Sequence, residues 1–370
     1  MEKELALPPR IKGLVERLQR YHYLWPCVSF ISGILSFFLV TRQQSLGGFL
    51  AVALLASWAL LIGENIWSGV RERRHQSRLP KLIATFITQL THQETLCFCL
   101  PFFLVTTAWS SGQAVFTGLL VLCTLISVMD PVYFRLADRV RWLYMAFHGL
   151  CAFILILVSA PLLLHVTTGQ SFLLATLALP ILSLPSLINL FQPRNIMSWL
   201  GMLAMAVALS GLAWSGRSWV PPATLWITSS ALSPSFNQAA RSPEGTMALT
   251  SSALEARGLY AYTAIHAPRG LNEKVFHVWR HEGKVVDRIP LTIKGTGGDA
   301  YRAWSHKLHF PRDSAGPWQV DVITADGQRI GVIRFNVSTT PSDAGKADGT
   351  LHHTPGVGWL SITKSSGGQK

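Results

Sequence analysis

Acidic residues are scarce in this chain and cysteine is confined to one part of it. Asp and Glu number 19 against 32 Lys and Arg, and charged residues make up 14% of the 370 positions, where ~25% is usual. The last third has no cysteine; Cys27, Cys97, Cys99, Cys123 and Cys151 all lie in apolar stretches. A disulfide framework is thereby excluded from the C-terminal part. Cys97 and Cys99 would diverge on a helix, so the five read as small buried hydrophobes. Internal repeats are missing, and so is any catalytic or cofactor motif. Gly295-x-Gly-Gly298 lies between strand-like segments and opens no helix, which makes it a hairpin loop and not a phosphate cradle. No cofactor and no metal are expected.

What is present is apolar. Hydrophobic residues make up 49% of the chain and crowd between Leu24 and Trp214, too many for one soluble core. A spanning helix takes ~20 mostly apolar residues. The sequence offers seven stretches, at 24–40, 48–63, 95–109, 114–129, 143–164, 172–190 and 196–214. The first follows a basic N-terminus but lacks a small-residue cleavage site and precedes six others, so it reads as a retained helix. Pro180 and Pro185 interrupt the sixth, as in the broken helices of transporters, although neighbouring helices can satisfy the freed backbone groups.

The net charge of +13 would suggest nucleic acid in a soluble protein, but its placement excludes that partner. Lys3, Arg10, Lys12, Arg17 and Arg20 precede the first stretch. Arg71, Arg73, Arg74, Arg78 and Lys81 separate the second from the third, Arg135, Arg139 and Arg141 the fourth from the fifth, and Arg194 the sixth from the seventh. The alternate loops hold only Arg42. The positive-inside rule then sets the N-terminus in the cytoplasm and, after seven crossings, the C-terminal part outside. The bilayer is thus one partner, and the basic loops suit anionic headgroups.

The chain divides into a cytoplasmic amphipathic lead-in (1–23), a seven-helix transmembrane domain (24–214), a linker (215–245), a compact domain (246–338) and a disordered tail rich in Gly, Ser, Thr and Lys (339–370). The compact domain alternates in the manner of strands near 259–266, 274–281, 285–293, 301–310, 318–324 and 330–337, with a weaker one at 247–254. Turn signals at Pro268-Arg269-Gly270, Glu282-Gly283-Lys284 and Asp326-Gly327 separate them. Short strands without helical periodicity indicate an antiparallel, immunoglobulin-like sandwich. Such domains bind, brace or space.

Particular strings extend this reading. His266-Ala-Pro-Arg-Gly-Leu271, Val275-Phe-His-Val-Trp-Arg-His-Glu-Gly-Lys284, Tyr301-Arg-Ala-Trp-Ser-His-Lys307 and Pro317-Trp-Gln-Val-Asp-Val322 resemble the bacterial family of unknown function 2914. Thr91-His-Gln-Glu-Thr95, Trp109-Ser-Ser-Gly-Gln113 and Asp130-Pro-Val-Tyr133 resemble the family of unknown function 5924. The resemblance covers nearly the whole chain. It implies a Gram-negative inner-membrane protein and transfers no catalytic residue.

Two residue sets are candidates for chemistry. In the apolar half, Glu64, His92, Glu94, Asp130 and His148 fall near the expected cytoplasmic boundary. Ionisable groups at membrane depth are costly and are functional candidates by default; the alternative is that they lie among headgroups, cap helices and pair with arginines. In the C-terminal domain, His277, Trp279 and His281 share a strand face, as do Trp304 and His306 on the strand taken as its partner. With Arg280 and Arg302 they would line a groove suited to a glycan. Against this stands a core reading, and a metal site would need three or four converging ligands. The leading expectation is a non-enzymatic anchor whose periplasmic sandwich binds an envelope protein or glycan. The alternatives are a proton- or cation-coupled transporter using the Glu/His/Asp set, and a membrane enzyme acting on lipid-linked substrates through the same groups.

Overall fold

A computed structural model of the chain describes residues 31, 49, 51–59, 81–183, 187, 188, 191, 194–295 and 300–353. The expected first span, Cys27, Glu64, Pro185 and the end of the tail lie outside the described residues. A helical region is followed by an all-β domain.

The helices are α1 (Lys81–Thr106), α2 (Gln113–Val128), α3 (Asp130–Arg139), α4 (Arg141–Leu164), α5 (Thr168–Leu182) and α6 (Ile196–Ser215), and residues 51–59 are also helical. Among the described residues, two helices are long and apolar enough to cross a membrane, Leu143–Leu164 and Ile196–Ser215. A third counts if α2 and α3 are one broken span. Their axes bend by 102° at Met129, where Pro131 opens the new helix, the position proline tolerates best. Asp130 therefore begins a helix and does not end one. α1 starts well before the expected 95, so His92 and Glu94 sit mid-helix, and the polar run Gln89–Thr95 lowers its apolar character. Between α4 and α5 the chain turns through His165, whose φ of 53° is left-handed. Thr167 and Gln170 then close a reciprocal capping box that starts α5.

The β domain has two four-stranded antiparallel sheets. One runs β12 (His352–His353), β1 (Trp226–Ser233), β5 (Leu259–His266), β8 (Tyr301–Lys307); the other runs β10 (Arg329–Val337), β9 (Gly316–Thr324), β6 (Asn272–His281), β7 (Lys284–Lys294). Two short ribbons accompany them, β2 (Ser235–Asn237) with β3 (Ser242–Glu244), and β4 (Met247–Ala248) with β11 (Lys346–Ala347). The unit is longer than its alternation marks. β1 lies in the stretch read as a linker, because Ser229, Ala231 and Ser233, buried on the outer side of the first sheet beside Ala264, Tyr262 and Tyr260, give little hydropathy contrast. β11 and β12 lie in the stretch read as tail. Where a weak strand is expected at 247–254, only the two residues of β4 are strand, and a short helix, α7 (Ser251–Arg257), follows. The Thr250 side chain accepts from the Ala253 amide and caps it.

The sheets share their core. Ile227 and Ile265 of one meet Val275, Val322 and Ile330 of the other, and Leu259 and Ala261 meet Trp279, Trp318 and Val320. Between them lies His277, fully buried. Its Nε2 is 3.0 Å from Thr263 Oγ1 on β5 and its Nδ1 2.8 Å from Ser305 Oγ on β8. One side chain of β6 thus bonds to two strands of the opposite sheet.

Burial pulls the His277 ring down to about 3 and His266, stacked on Trp226, to about 4. In the unfolded chain both protonate near the ordinary 6.5. Stability is therefore full above that value and lost as pH falls toward the folded values. A fragment covering 221–353 is expected to give a β-type circular dichroism spectrum and a urea midpoint that drops through the mildly acidic range, with His277→Gln flattening the drop. A fragment of 246–338, lacking β1, one of the two strands that β5 pairs with, is expected to be unfolded. An equally stable short fragment, or an acid profile unaffected by the substitution, would contradict this account.

Candidate functional site in the helical region

Gln89, His92, Gln93 and Leu96 recur at three- and four-residue spacing, so they share one face of α1, and all four are buried. α4 presents Tyr144, Phe147 and His148 at the same spacing. The two helices start on the same side and contribute matched turns. His92 Nε2 lies 2.8 Å from His148 Nδ1, and the Tyr133 hydroxyl of α3 lies 2.8 Å from His92 Nδ1. Tyr133 and Tyr144 pack edge to face at 5.7 Å and are hydrogen-bonded, and Tyr144 also bonds Thr88. Trp58 lies against both imidazoles, with ring centroids 5.8 and 4.7 Å away. Its indole donates to Thr95 Oγ1 at 2.8 Å, and Thr95 donates to the Thr91 carbonyl at 2.7 Å.

Two self-consistent proton arrangements fit this chain, because each imidazole donates through one nitrogen and accepts through the other. In one, Tyr133 donates to His92 Nδ1 and His92 Nε2–H donates to His148 Nδ1. In the other, every bond is reversed. One turn below His92, Gln89 Nε2 donates to the Ser127 carbonyl at 3.0 Å and to Asp130 Oδ1 at 2.7 Å, holding α1 against the bend between α2 and α3. The Asp130 carboxylate also sits at the positive end of α3. Gln89 Oε1 and Gln93 Nε2 are buried and find no partner among the described residues. Buried amide atoms of this kind are ordinarily met by water or a ligand.

Of the five residues the sequence marks here, His92 and His148 bond directly and Asp130 joins through Gln89. Glu94 is exposed on the opposite face of α1, two residues on and ~200° round the helix, so it leaves the cluster. Glu64 lies outside the described residues. Tyr133, Tyr144, Trp58, Gln89 and Gln93 were missed, although a Gln-x-x-His-Gln repeat in an apolar helix is itself a signal of a buried polar face.

The groove expected in the β domain does not assemble, because β8 pairs with β5 and not with β6. His277 and Trp279 are core. Arg280, on the outer side of the second sheet, donates to Asp321 Oδ2 at 2.8 Å. His281 stacks on Trp318 at 4.6 Å and bonds the Ala315 carbonyl at 2.9 Å. Trp304 and His306 lie on the outer side of the first sheet, stacked on Phe236 at 4.3 Å and on Tyr260 at 3.8 Å. The exposed Arg302 reaches the Ala240 carbonyl. Among the described residues no group of three His, Cys, Asp or Glu could hold a metal ion.

A second constellation joins the two halves. Glu273, at the start of β6 and only 2% exposed, accepts from the Thr168 amide at 2.8 Å and the Thr168 hydroxyl at 3.1 Å, at the first residue of α5. Burial raises its carboxyl above the ordinary range, the Thr168 bonds oppose that, and Asp326 adds to it. The Asp326 carboxylate also approaches this helix end: a Cβ on Gly169 would stand 1.6 Å from its Oδ2, so a larger residue there would displace that carboxylate. Gln113 donates to the Arg329 carbonyl at 2.9 Å, Gln328 to the Val220 carbonyl at 3.1 Å, and Arg334 to Ser110 at 3.0 Å.

With the geometry in hand, comparison adds lineage. Residues 5–261 match the model of a family of unknown function, DUF5924, and residues 272–337 match that of a protein of unknown function, DUF2914. Neither the curated proteins nor the solved structures give a significant match. The chain belongs to the family of unknown function DUF5924, with a DUF2914 unit fused behind it.

Proposed function

We propose that this is a multi-pass inner-membrane protein that holds an immunoglobulin-like sandwich against the periplasmic end of its helices, where the sandwich binds an envelope protein or glycan. The joint carries the reading. Glu273, Gln328, Arg329 and Arg334 come from three separate parts of the β domain and engage α5, the α1–α2 turn and the stretch after α6. Each bond to a neutral partner contributes ~0.5–1.5 kcal/mol and those involving charge more. A module meant to swing freely on a linker would have no use for them. Held this way, the sandwich presents a constant surface.

Two observations support membrane insertion. α6 is apolar yet exposed over most of its surface, with Ile196 75% and Leu212 72% accessible, and α2 exposes Val115, Leu119, Leu122 and Leu125 along one side. Apolar faces of this size call for lipid or another chain. The strand sequence β1-β5-β8 facing β10-β9-β6-β7, with a buried Trp279 on β6, supports the immunoglobulin-like reading.

Alkaline phosphatase fused after Val220 is expected to be active, and fused after Arg74 inactive; the reverse pattern overturns the orientation. Crosslinking in intact cells through a photoreactive residue at Arg302, on the outward face, is expected to capture a defined envelope component. Detachment of the joint by Glu273→Lys is expected to reduce that capture several-fold. Capture indifferent to the joint would reject rigid presentation.

A further inference from the structure

We propose that the bundle contains a one-sided proton site: a hydrogen-bonded chain running from Thr88 through Tyr144, Tyr133 and His92 to a terminus at His148, which takes up a proton from the face bearing Arg141 and holds it on the imidazole pair. This goes beyond anchoring, which needs no polar chain inside the helices.

The path is continuous. Thr88 and Tyr144 each lie one turn, ~5.4 Å, closer to the helix starts than His92 and His148. Tyr144 bonds Thr88 and Tyr133, Tyr133 meets His92 at 2.8 Å, and His92 meets His148 at 2.8 Å. Every member both donates and accepts, so the chain can invert. A proton delivered to the Tyr144 oxygen sends the hydroxyl proton of Tyr144 to Tyr133, and that of Tyr133 to His92 Nδ1. His92 then passes its Nε2 proton to His148 Nδ1, leaving His148 protonated on both nitrogens. One proton enters, each group hands on the one it held, and the charge comes to rest on the His148 imidazolium.

The path also stops. Beyond the pair, α1 and α4 pack Phe102 and Phe103 against Ile154, Leu155 and Val158, all buried and apolar. Among the described residues of α1, α4 and the α1–α2 turn, polar side chains return at Ser159 and then at Thr106 and Thr107. This layer separates the site from the end where the β domain docks, which makes it a half-channel and not a conduit. The titratable groups that face it are Tyr133 on α3, Tyr144 and Cys151 on α4, and Cys99 on α1, with Asp130 one step away through Gln89. Among the described residues no carboxylate bonds either imidazole, so an arriving charge is shared by the pair and by the face of Trp58, which favours cations. Gln89 Oε1 and Gln93 Nε2, buried and without partners among the described residues, supply an acceptor and a donor on the same face where water would complete the entrance.

The test uses the full-length chain, labelled with nitrogen-15 histidine, in lipid vesicles with the protein uniformly oriented. Acidifying the medium on the Arg141 side is expected to shift both ring nitrogens of His92 and His148 together, while acidifying the other side leaves them unchanged. Tyr133→Phe preserves size and ring packing and breaks the chain, so it is expected to slow the response at least tenfold without altering the melting temperature by more than a few degrees. His92→Gln is expected to abolish uptake at His148. Fixed neutral tautomers at every pH, a response from the opposite side, or a Tyr133→Phe response as fast as the parent would each overturn the proposal.

Discussion

A polar side chain withdrawn from water must meet its partner inside the protein, and three such encounters organise this molecule. His92 meets Tyr133 and His148, His277 meets Thr263 and Ser305, and Glu273 meets Thr168. An orphaned partner at any of these places costs ~1–3 kcal/mol, against a total stability of ~5–15 kcal/mol for a domain. Each encounter is therefore specific: only one register of β6 brings His277 between two hydroxyls, and only one rotation of α1 brings His92 between a phenol and an imidazole. Hydrophobic burial draws the elements together, and these bonds choose among the ways they can pack.

The two family matches divide the β domain where its physics does not. β1 and the first three residues of β5 fall within 5–261, while β6, β7, β8, β9 and β10 fall within 272–337. Val275 and Trp279 from the second match are covered by Ile227, Leu259 and Ala261 from the first. The second match alone is one sheet and a stray strand with a bare apolar face. Three or more strands with an apolar face need something packed against it, and here that cover is encoded by the preceding family. The two sheets therefore share one core across the boundary between the matches.

Long-range pairing explains what the sequence yielded and what it withheld. The strands β5 to β10 were legible because alternation and turns such as Asp326-Gly327 are local. β1 was not, since a run of Ser and Ala carries no contrast although it packs well between larger neighbours. The groove of His277, Trp304 and His306 failed on one assumption, that the strand of Trp304 pairs with the strand of His277; a crossover puts β8 beside β5 in the other sheet and turns those rings to opposite sides. In the helices, His92 and His148 were marked because ionisable residues stand out in apolar runs. Tyr133 escaped notice because it lies beside the Asp130-Pro131 turn, and its hydroxyl becomes important only when the 102° bend carries it back to α1. The seven-stretch reading meets two or three qualifying helices among the described residues, in part because buried Gln89, His92 and Gln93 make α1 too polar to be counted.

The placement of glycine at the joint bears on how firmly the halves are held. Gly169 is the second residue of α5, where any side chain would collide with Asp326, and Gly270, at a φ of +84°, lets the β5–β6 turn lie against His165. Both remove bulk where the backbone of one half meets a side chain of the other. Two carboxylates then gather at one helix end, where the positive dipole favours negative charge but burial, with repulsion from Asp326 adding to it, raises the carboxyl of Glu273. Contact through Glu273 alone would leave a pivot at α5. Gln113 and Arg334 engage a second place, the α1–α2 turn, and Gln328 a third, at Val220. The β domain is thus bonded to the helical region at three places, α5, the α1–α2 turn and Val220.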